Sequence, residues 1–347
     1  MWDEFQKEIV NLKSAKRVEE VRNFLAGFEL TFDDVVEYTI NLRSNGKLVG
    51  TGSFQGEVLR NIAVDEALQG AGLTATILSE LMQEQARRGR SHYFIFTKPS
   101  KVHLFEGLGF TEIARAEPYV ALLETGIGSV GTYCDCIAKS VAHLKKQRTA
   151  IVVNCNPFTI GHQALIRQAS EENEAVIVFV VSEELSLFPF ADRFKLVKEG
   201  VADLANVAVV PAGKYMVSVA TFPTYFTRDA DKAIAQARLD VVLFATKIAS
   251  SLGIKARYIG EEPYSPVTNV YNEAMLDILP KHDIKIKVIQ RVQAEGEIIS
   301  ASTVREMIKH DDWVGIKKMV PENTYQYLLS DAAKDVLEKI RHSHSRH

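Results

Sequence analysis

From about residue 149 onward the chain alternates short apolar runs with helix-forming stretches, and no other feature constrains its fold as much. The runs are 150–153, 175–181, 207–210, 241–244, 258–259 and 284–289, and helical segments such as 163–174 and 229–238 separate several of them. A strand with one wet face alternates apolar and polar residues. A strand apolar on both faces must be covered on both, which is the condition of a parallel sheet with crossover helices. In such sheets ligands lie beyond the carboxyl ends of the strands, where the strand order reverses.

The first part of the chain reads differently. Segments 48–54 and 58–63 look like a hairpin pair, punctuated by Gly50, Gly52 and Gly56. Leu73, Ile77, Leu78, Leu81, Met82 and Ala86 share one face of an expected helix over 73–86. A strand over 92–96 and a short helix over 102–106, ended by Gly107, follow. At ~150 residues per domain, a chain of 347 makes two domains. The expected fold class is α/β. A mixed α+β domain spans 1–140, a Rossmann-like doubly wound parallel-sheet domain spans 146–341, and a polar flexible tail covers 342–347.

Charge and cysteine usage narrow the partners. Lys and Arg number 41 against 44 Asp and Glu, a net charge of −3, and no long basic run occurs, so no nucleic-acid partner is expected. The longest apolar stretch, 175–181, falls far short of the ~20 residues that span a bilayer, so no membrane partner is expected. Met1-Trp2-Asp3-Glu4-Phe5 lacks the pattern of a signal peptide. The three cysteines, Cys134, Cys136 and Cys155, form no Cys-x-x-Cys. Neither a disulfide framework nor a metal site is expected, and a reducing, cytoplasmic setting fits.

Two constellations carry chemistry. In the first, Asn154-Cys155-Asn156-Pro157-Phe158-Thr159-Ile160-Gly161-His162 joins a buried strand to a helix. Pro157 takes the chain out of sheet geometry, and Gly161 permits close backbone approach. His162 then lies at a helix N-terminus, where free amides and the dipole favour an anion and an imidazole can donate to a phosphoryl oxygen. The plain alternative is a capping Thr159 and a satisfied surface His162. In the second, Ile299-Ser300-Ala301-Ser302-Thr303-Val304-Arg305-Glu306 follows the last strand. Its hydroxyls and amides can cradle phosphates, with Arg305 as a cationic fork. The plain alternative is a capping box of Thr303 with Glu306. Lys214 and Lys247, each placed after an expected strand, are candidates to steer a triphosphate, and Cys155 reads as a small buried residue.

Thr159-Ile160-Gly161-His162 resembles the Thr/His-x-Gly-His motif of the nucleotidyltransferase superfamily, and Ile299 to Arg305 resembles its Ile-Ser-x-Ser/Thr-x-x-Arg motif. Asn154-x-Asn156-Pro157-Phe158-Thr159, Ala220-Thr221-Phe222-Pro223-Thr224-Tyr225-Phe226, Arg257-Tyr258-Ile259-Gly260-Glu261-Glu262-Pro263 and Val267-Thr268-x-Val270-Tyr271-Asn272 make the chain similar to the citrate lyase ligase family over essentially its whole length. The resemblance implies an ATP-dependent ligase. Acetate attacks the α-phosphorus, pyrophosphate leaves, and the acetyl group passes to the prosthetic-group thiol of the citrate lyase acyl carrier subunit with release of AMP. It implies His162, Thr159 and Arg305 as catalytic residues. Asn156, Phe158, Gly161, Gly260, Glu261, Ser302 and Thr303 become nucleotide-binding, and Mg²⁺ joins ATP through water and phosphate oxygens. The rival readings are an adenylyltransferase that makes a dinucleotide-like cofactor precursor and a non-catalytic acyl-coenzyme A sensor.

In the first domain, Leu59 to Asp65 followed by Gln69-Gly70-Ala71-Gly72-Leu73-Thr74 resembles motif A of the GNAT acetyltransferases, whose helix-start amides bind the pyrophosphate of coenzyme A. Gln69, Gly70 and Gly72 are the candidate contacts. Thr74 stands where Gly or Ala is usual, and Phe105 stands where a proton-giving tyrosine is usual. The domain is therefore expected to dock a coenzyme-A-like prosthetic arm.

Overall fold

The structure is a computed structural model that describes residues 5–33, 35–182, 186–216, 229–261, 266–290, 293–294 and 297–343; of 229–230, 266–269, 293–294 and 297–298 it describes the backbone alone. The motif residues 220–226, Glu262 and Pro263, and the tail beyond Ser343, lie outside the described residues. The chain divides into two compact units: Met1–Val130 with Thr221–Leu239, and Gly131–Ala220 with Asp240–His347. Each is described by itself.

The first unit runs β1 (Gln6–Ile9), α1 (Ala15–Ala26), β2 (Tyr38–Ser44), β3 (Lys47–Gln55), β4 (Val58–Val64), α2 (Leu73–Arg87), β5 (His92–Thr97), α3 (Val102–Glu106), β6 (Thr111–Ala116) and β7 (Val120–Gly126). Its sheet has the order β1-β2-β3-β4-β5-β7-β6. Every neighbouring pair is antiparallel except β4 and β5, which run parallel and pair only at Val58↔Phe94 and Leu59↔Ile95. Beyond those two positions the strands splay. Helix α2 forms because its apolar residues share one stripe, and Ile77, Leu78 and Leu81 bury it against the sheet. Gly52 lets it approach: a Cβ there would lie 2.3 Å from Ile77 Cγ2. This is a mixed, mostly antiparallel sheet.

The second unit opens with α4 (Val130–Ser140) and continues β8 (Arg148–Val153), α5 (Ile160–Glu172), β9 (Val176–Val180), α6 (Phe190–Gly200) and β10 (Val207–Pro211). The chain re-enters this unit at Asp240 within α7 (Asp229–Leu243), and a π-helical segment (Phe244–Ala249) and α8 (Ser250–Leu252) lead to β11 (Ile254–Gly260), α9 (Pro266–Ile278) and β12 (Lys285–Ile289). A two-strand ribbon, β13 (Gln293–Ala294) with β14 (Glu297–Ile298), precedes four helices: α10 (Ala301–Lys309), α11 (Trp313–Met319), α12 (Glu322–Leu329) and α13 (Lys334–His342). The sheet order is β10-β9-β8-β11-β12, all parallel. The chain starts at the centre, steps outward to β10, and returns to the other flank of β8. The strand order therefore reverses between β8 and β11, as in Rossmann-like doubly wound folds. Ile151, Val153, Ile166, Val178, Val180 and Leu196 fill one core, and Val304, Ile308, Ile316, Leu328 and Ile340 close a second among the last four helices.

One expected strand is a helix. Residues 241–244 end α7 and begin the π-helical segment. A short apolar run does not distinguish a buried strand from a buried helix turn. Here Ala233, Ala235 and Ala237 carry a helix straight into it, with no Gly or Pro to stop it. Lys247 therefore lies within the π-helical segment and not beyond a strand tip.

Candidate active site

The turn between β8 and α5 is held from beneath by an arginine. Arg193 is fully buried in α6 (0% exposed). Its guanidinium donates to the carbonyls of Phe188, Asn154 and Val181 and to Asn154 Oδ1, at 2.8–2.9 Å. These acceptors lie on the segments that follow β8 and β9, so one cation fixes both. Asn156 adds a second tie: its Oδ1 accepts the Phe188 N–H at 3.1 Å. Phe158 is buried beneath the turn, and Gly200 leaves its ring room, since a Cβ there would lie 2.4 Å from Phe158 Cε1.

Thr159 caps α5, and His162 completes the cap. The Thr159 hydroxyl accepts the His162 amide N–H at 3.4 Å, while His162 Nδ1 accepts the Thr159 amide N–H at 3.1 Å and lies 2.8 Å from the hydroxyl. With Nδ1 used as an acceptor, the proton of the neutral ring is assigned to Nε2. The ring stacks over Phe158, with centroids 6.2 Å apart and planes at 17°. The plain reading of Thr159 as a cap holds, and the cap also orients the His162 imidazole. A Cβ at Gly161 would make only ordinary 3.5 Å contacts with Ile299. The protein's own packing does not require a glycine there.

Helix α10 starts beside this turn. Its cap is Ser300, not Thr303, and its first residue is Ala301. The Ser300 hydroxyl accepts the Thr303 amide at 3.0 Å and lies 2.9 Å from Ser302 Oγ and 2.7 Å from Thr303 Oγ1. The result is a knot of three hydroxyls at a helix N-terminus. Arg305 is 7% exposed and donates to the Asn156 carbonyl at 2.6 Å, which joins the two motifs directly. Burial pulls its pKa below the ordinary arginine value. Ser302, Thr303, Arg305 and Glu306 line an open cavity of about 360 Å³, and the Glu306 carboxylate is held by Lys309 at 2.8 Å.

Gly260 and Glu261 end β11, the strand next to β8, and so flank the same switch point. Both are exposed, and a Cβ on Gly260 would meet nothing within 4 Å. The Glu261 amide donates to the Ile289 carbonyl at 2.9 Å, which fixes the tip of β11 to that of β12. Lys214 lies beyond β10, at the edge of the sheet. Cys155 is buried and burial raises its thiol pKa, so it is a packing residue and a poor nucleophile at neutral pH.

Gln69, Gly70 and Gly72 belong to the first unit. Gly70 and Gly72 adopt φ of +87° and +81°, which side chains resist. They turn the chain into α2, whose N-cap Gly72 offers no side-chain cap to the first amides. Phe105 is buried against Phe110, with ring centroids 6.2 Å apart, and gives no proton.

Two site residues escape the sequence reading. Ser300 sits inside a recognised motif, but a string does not say which hydroxyl caps. Arg193 had a signal: with Leu196 and Val197 it lies on the buried stripe of α6 at helical spacing, where a cation needs a reason.

Two capped helix starts converging on the switch point of an open parallel sheet define a nucleotide-binding domain of the nucleotidyltransferase type. The family described as citrate lyase ligase C-terminal domain matches residues 148–328. The [citrate [pro-3S]-lyase] ligase of Klebsiella pneumoniae is 35% identical to this chain, covering 95% of it and 97% of that protein. That of Haemophilus influenzae is 35% identical, covering 90% and 95%. That of Escherichia coli is 32% identical, covering 90% of each. The chain belongs to the citrate lyase ligase family. Among the described residues, no helix is long and apolar enough to cross a membrane.

Proposed function

We propose that this chain activates acetate with ATP as acetyl-adenylate, releasing pyrophosphate. It then acetylates the prosthetic-group thiol on the acyl carrier subunit of citrate lyase, releasing AMP. The observation that carries this reading is the 2.6 Å bond from Arg305 to the Asn156 carbonyl, because it brings the start of α10 to the turn that presents His162. Three relatives that carry the ligase name along nearly the whole chain support the substrate class.

In the first step the protein positions groups and neutralises charge. His162 donates from Nε2 to an oxygen on the α-phosphorus, where negative charge grows. Thr159 holds the ring in that tautomer. Ser302 and Thr303, with the open amides of α10, receive the β- and γ-phosphates, and Arg305 lends positive charge while it braces the turn. Gly260 and Glu261 border the nucleoside, and Asn156, Phe158 and Gly161 shape the floor. Mg²⁺ would ride on phosphate oxygens and water. Among the described residues no three His, Cys, Asp or Glu side chains gather to ligate a metal, and no step is assigned to the ion.

The division of labour follows the two domains, 1–140 and 146–341. The splay between β4 and β5 and the uncapped start of α2 suit an extended arm ending in phosphates, so the first domain docks the carrier's coenzyme-A-like prosthetic group through Gln69, Gly70 and Gly72. The setting is cytoplasmic, in keeping with three free cysteines. Pyrophosphate release is measured with a panel of short carboxylic acids, with and without deacetylated lyase. Acetate-dependent release that becomes stoichiometric with lyase acetylation is expected. Release that needs a phosphorylated acceptor in place of an acid would replace this reading with an adenylyltransferase.

A further inference from the structure

Arg257 lies within β11, in register with Ala150 of β8 and Ile286 of β12. It is 3% exposed. Its neighbour Tyr258 packs into the core shared with α5. Alternation along a strand therefore puts Arg257 on the opposite face of the sheet. There the guanidinium carbon lies 4.5 Å from the centre of the Phe244 ring and 5.8 Å from that of Tyr271. Buried Asp240 lends Coulomb support. Ring faces stabilise a cation but accept little from its N–H edges. The Nε and Nη1 groups have no hydrogen-bond partner among the described residues. An enclosed guanidinium with unmatched donors is costly, so something that pairs with them is to be sought.

The reaction geometry says what that something is. Helix α5, whose start carries Thr159 and His162, packs on the Tyr258 side of the sheet. In phosphoryl and nucleotidyl transfer the attacking and leaving oxygens lie roughly in line. With the leaving pyrophosphate on the α5 side, an in-line attacking oxygen approaches from the opposite side, and Arg257 is a buried cation on that face of β11. We propose that Arg257 is the carboxylate-binding residue for a short-chain monocarboxylic acid, with Phe244 and Tyr271 walling its alkyl end. This deepens the acid-activating reading and rests on it. Carboxylate oxygens fill the open donors, and one oxygen is left to attack phosphorus.

The test compares wild type with Arg257→Met and Arg257→Lys. ATP–pyrophosphate exchange is measured against acetate and against ATP. Both variants are expected to raise KM for acetate by at least about tenfold and to move KM for ATP by less than about twofold, as loss of a charge-assisted bond predicts. A folded variant with the wild-type acetate KM, or with equal increases for acetate and ATP, overturns the proposal. A second arm needs no turnover: acetate, against chloride at matched ionic strength and without nucleotide, raises the melting temperature of wild type and of neither variant. No acetate protection of wild type, or equal protection of Arg257→Lys, also overturns it. If wild type shows acetate protection but no acid supports exchange, the acid-activating reading fails while the anion site stands. If Arg257→Met does not fold, Arg257→Lys decides.

Discussion

Thr159 fixes the His162 tautomer, because it engages Nδ1 through both its amide and its hydroxyl. Removing one donor to a developing oxyanion costs ~10²–10³ in turnover. His162→Ala is expected to lose that much acetate-dependent pyrophosphate exchange while its circular dichroism spectrum stays that of wild type; near-normal exchange would remove His162 from the mechanism. Thiol chemistry gives a second reading at this scale. Iodoacetamide at neutral pH should modify exposed Cys136 and spare Cys155, whose thiol burial keeps protonated, as peptide mass spectrometry can check. At this scale the sequence is informative where a residue's role is local. Thr159, Gly161, His162, Ser302 and Thr303 sit at strand-to-helix joins that a string displays. Arg193 and Arg257 act through partners brought near only by sheet order, and single-chain spacing does not encode that order.

Helix starts and strand joins set the next scale. Ser300 caps α10 and anchors its hydroxyl knot, so Ser300→Ala should cost about 1 kcal/mol of stability and weaken ATP binding as well, read by denaturant melts and nucleotide titration. Glu172 at the end of α5 ties that helix to β11 and β12: it accepts from Tyr258 at 2.6 Å and pairs with Lys287. The Lys287 and Tyr258 bonds hold its carboxyl down at about 2, below the ordinary 4.5. A depressed folded-state pKa contributes stability that is present above 4.5 and is lost as pH falls from 4.5 to about 2. Glu172→Gln should therefore flatten the stability profile across that window, as unfolding measured at successive pH values would show. Strands β11 and β12, which carry Lys255, Arg257, Lys285 and Lys287, are the less legible ones, whereas β9 is legible because Val176–Val180 is apolar and buried on both faces. The run at 241–244 misleads for the same reason: a wholly buried helix turn shares that composition, and only the preceding alanines tilt it.

For the whole molecule, the proposed function divides one reaction between the two units. If the first domain only presents the carrier's arm, a change confined to its glycine turn should separate the two half-reactions. Gly72→Val, at φ +81°, is expected to slow acetyl transfer to the carrier severalfold while acetate-dependent exchange stays intact; a parallel loss of both would argue against the assignment. The change in apolar pattern near residue 149 marks where the parallel sheet begins, but the splay of β4 from β5 was not readable, because pairing that stops after two residues leaves no mark on composition. The central position of β8 carries a last consequence. One flank of β8 meets β9 soon after it, but the other waits for β11, roughly a hundred residues later in the chain. During synthesis on the ribosome, the half-built sheet must leave the tunnel with a bare hydrogen-bonding edge. The nascent chain is exposed to mispairing until Ile254–Gly260 emerges, so chaperone supply and growth temperature should govern how much of it matures.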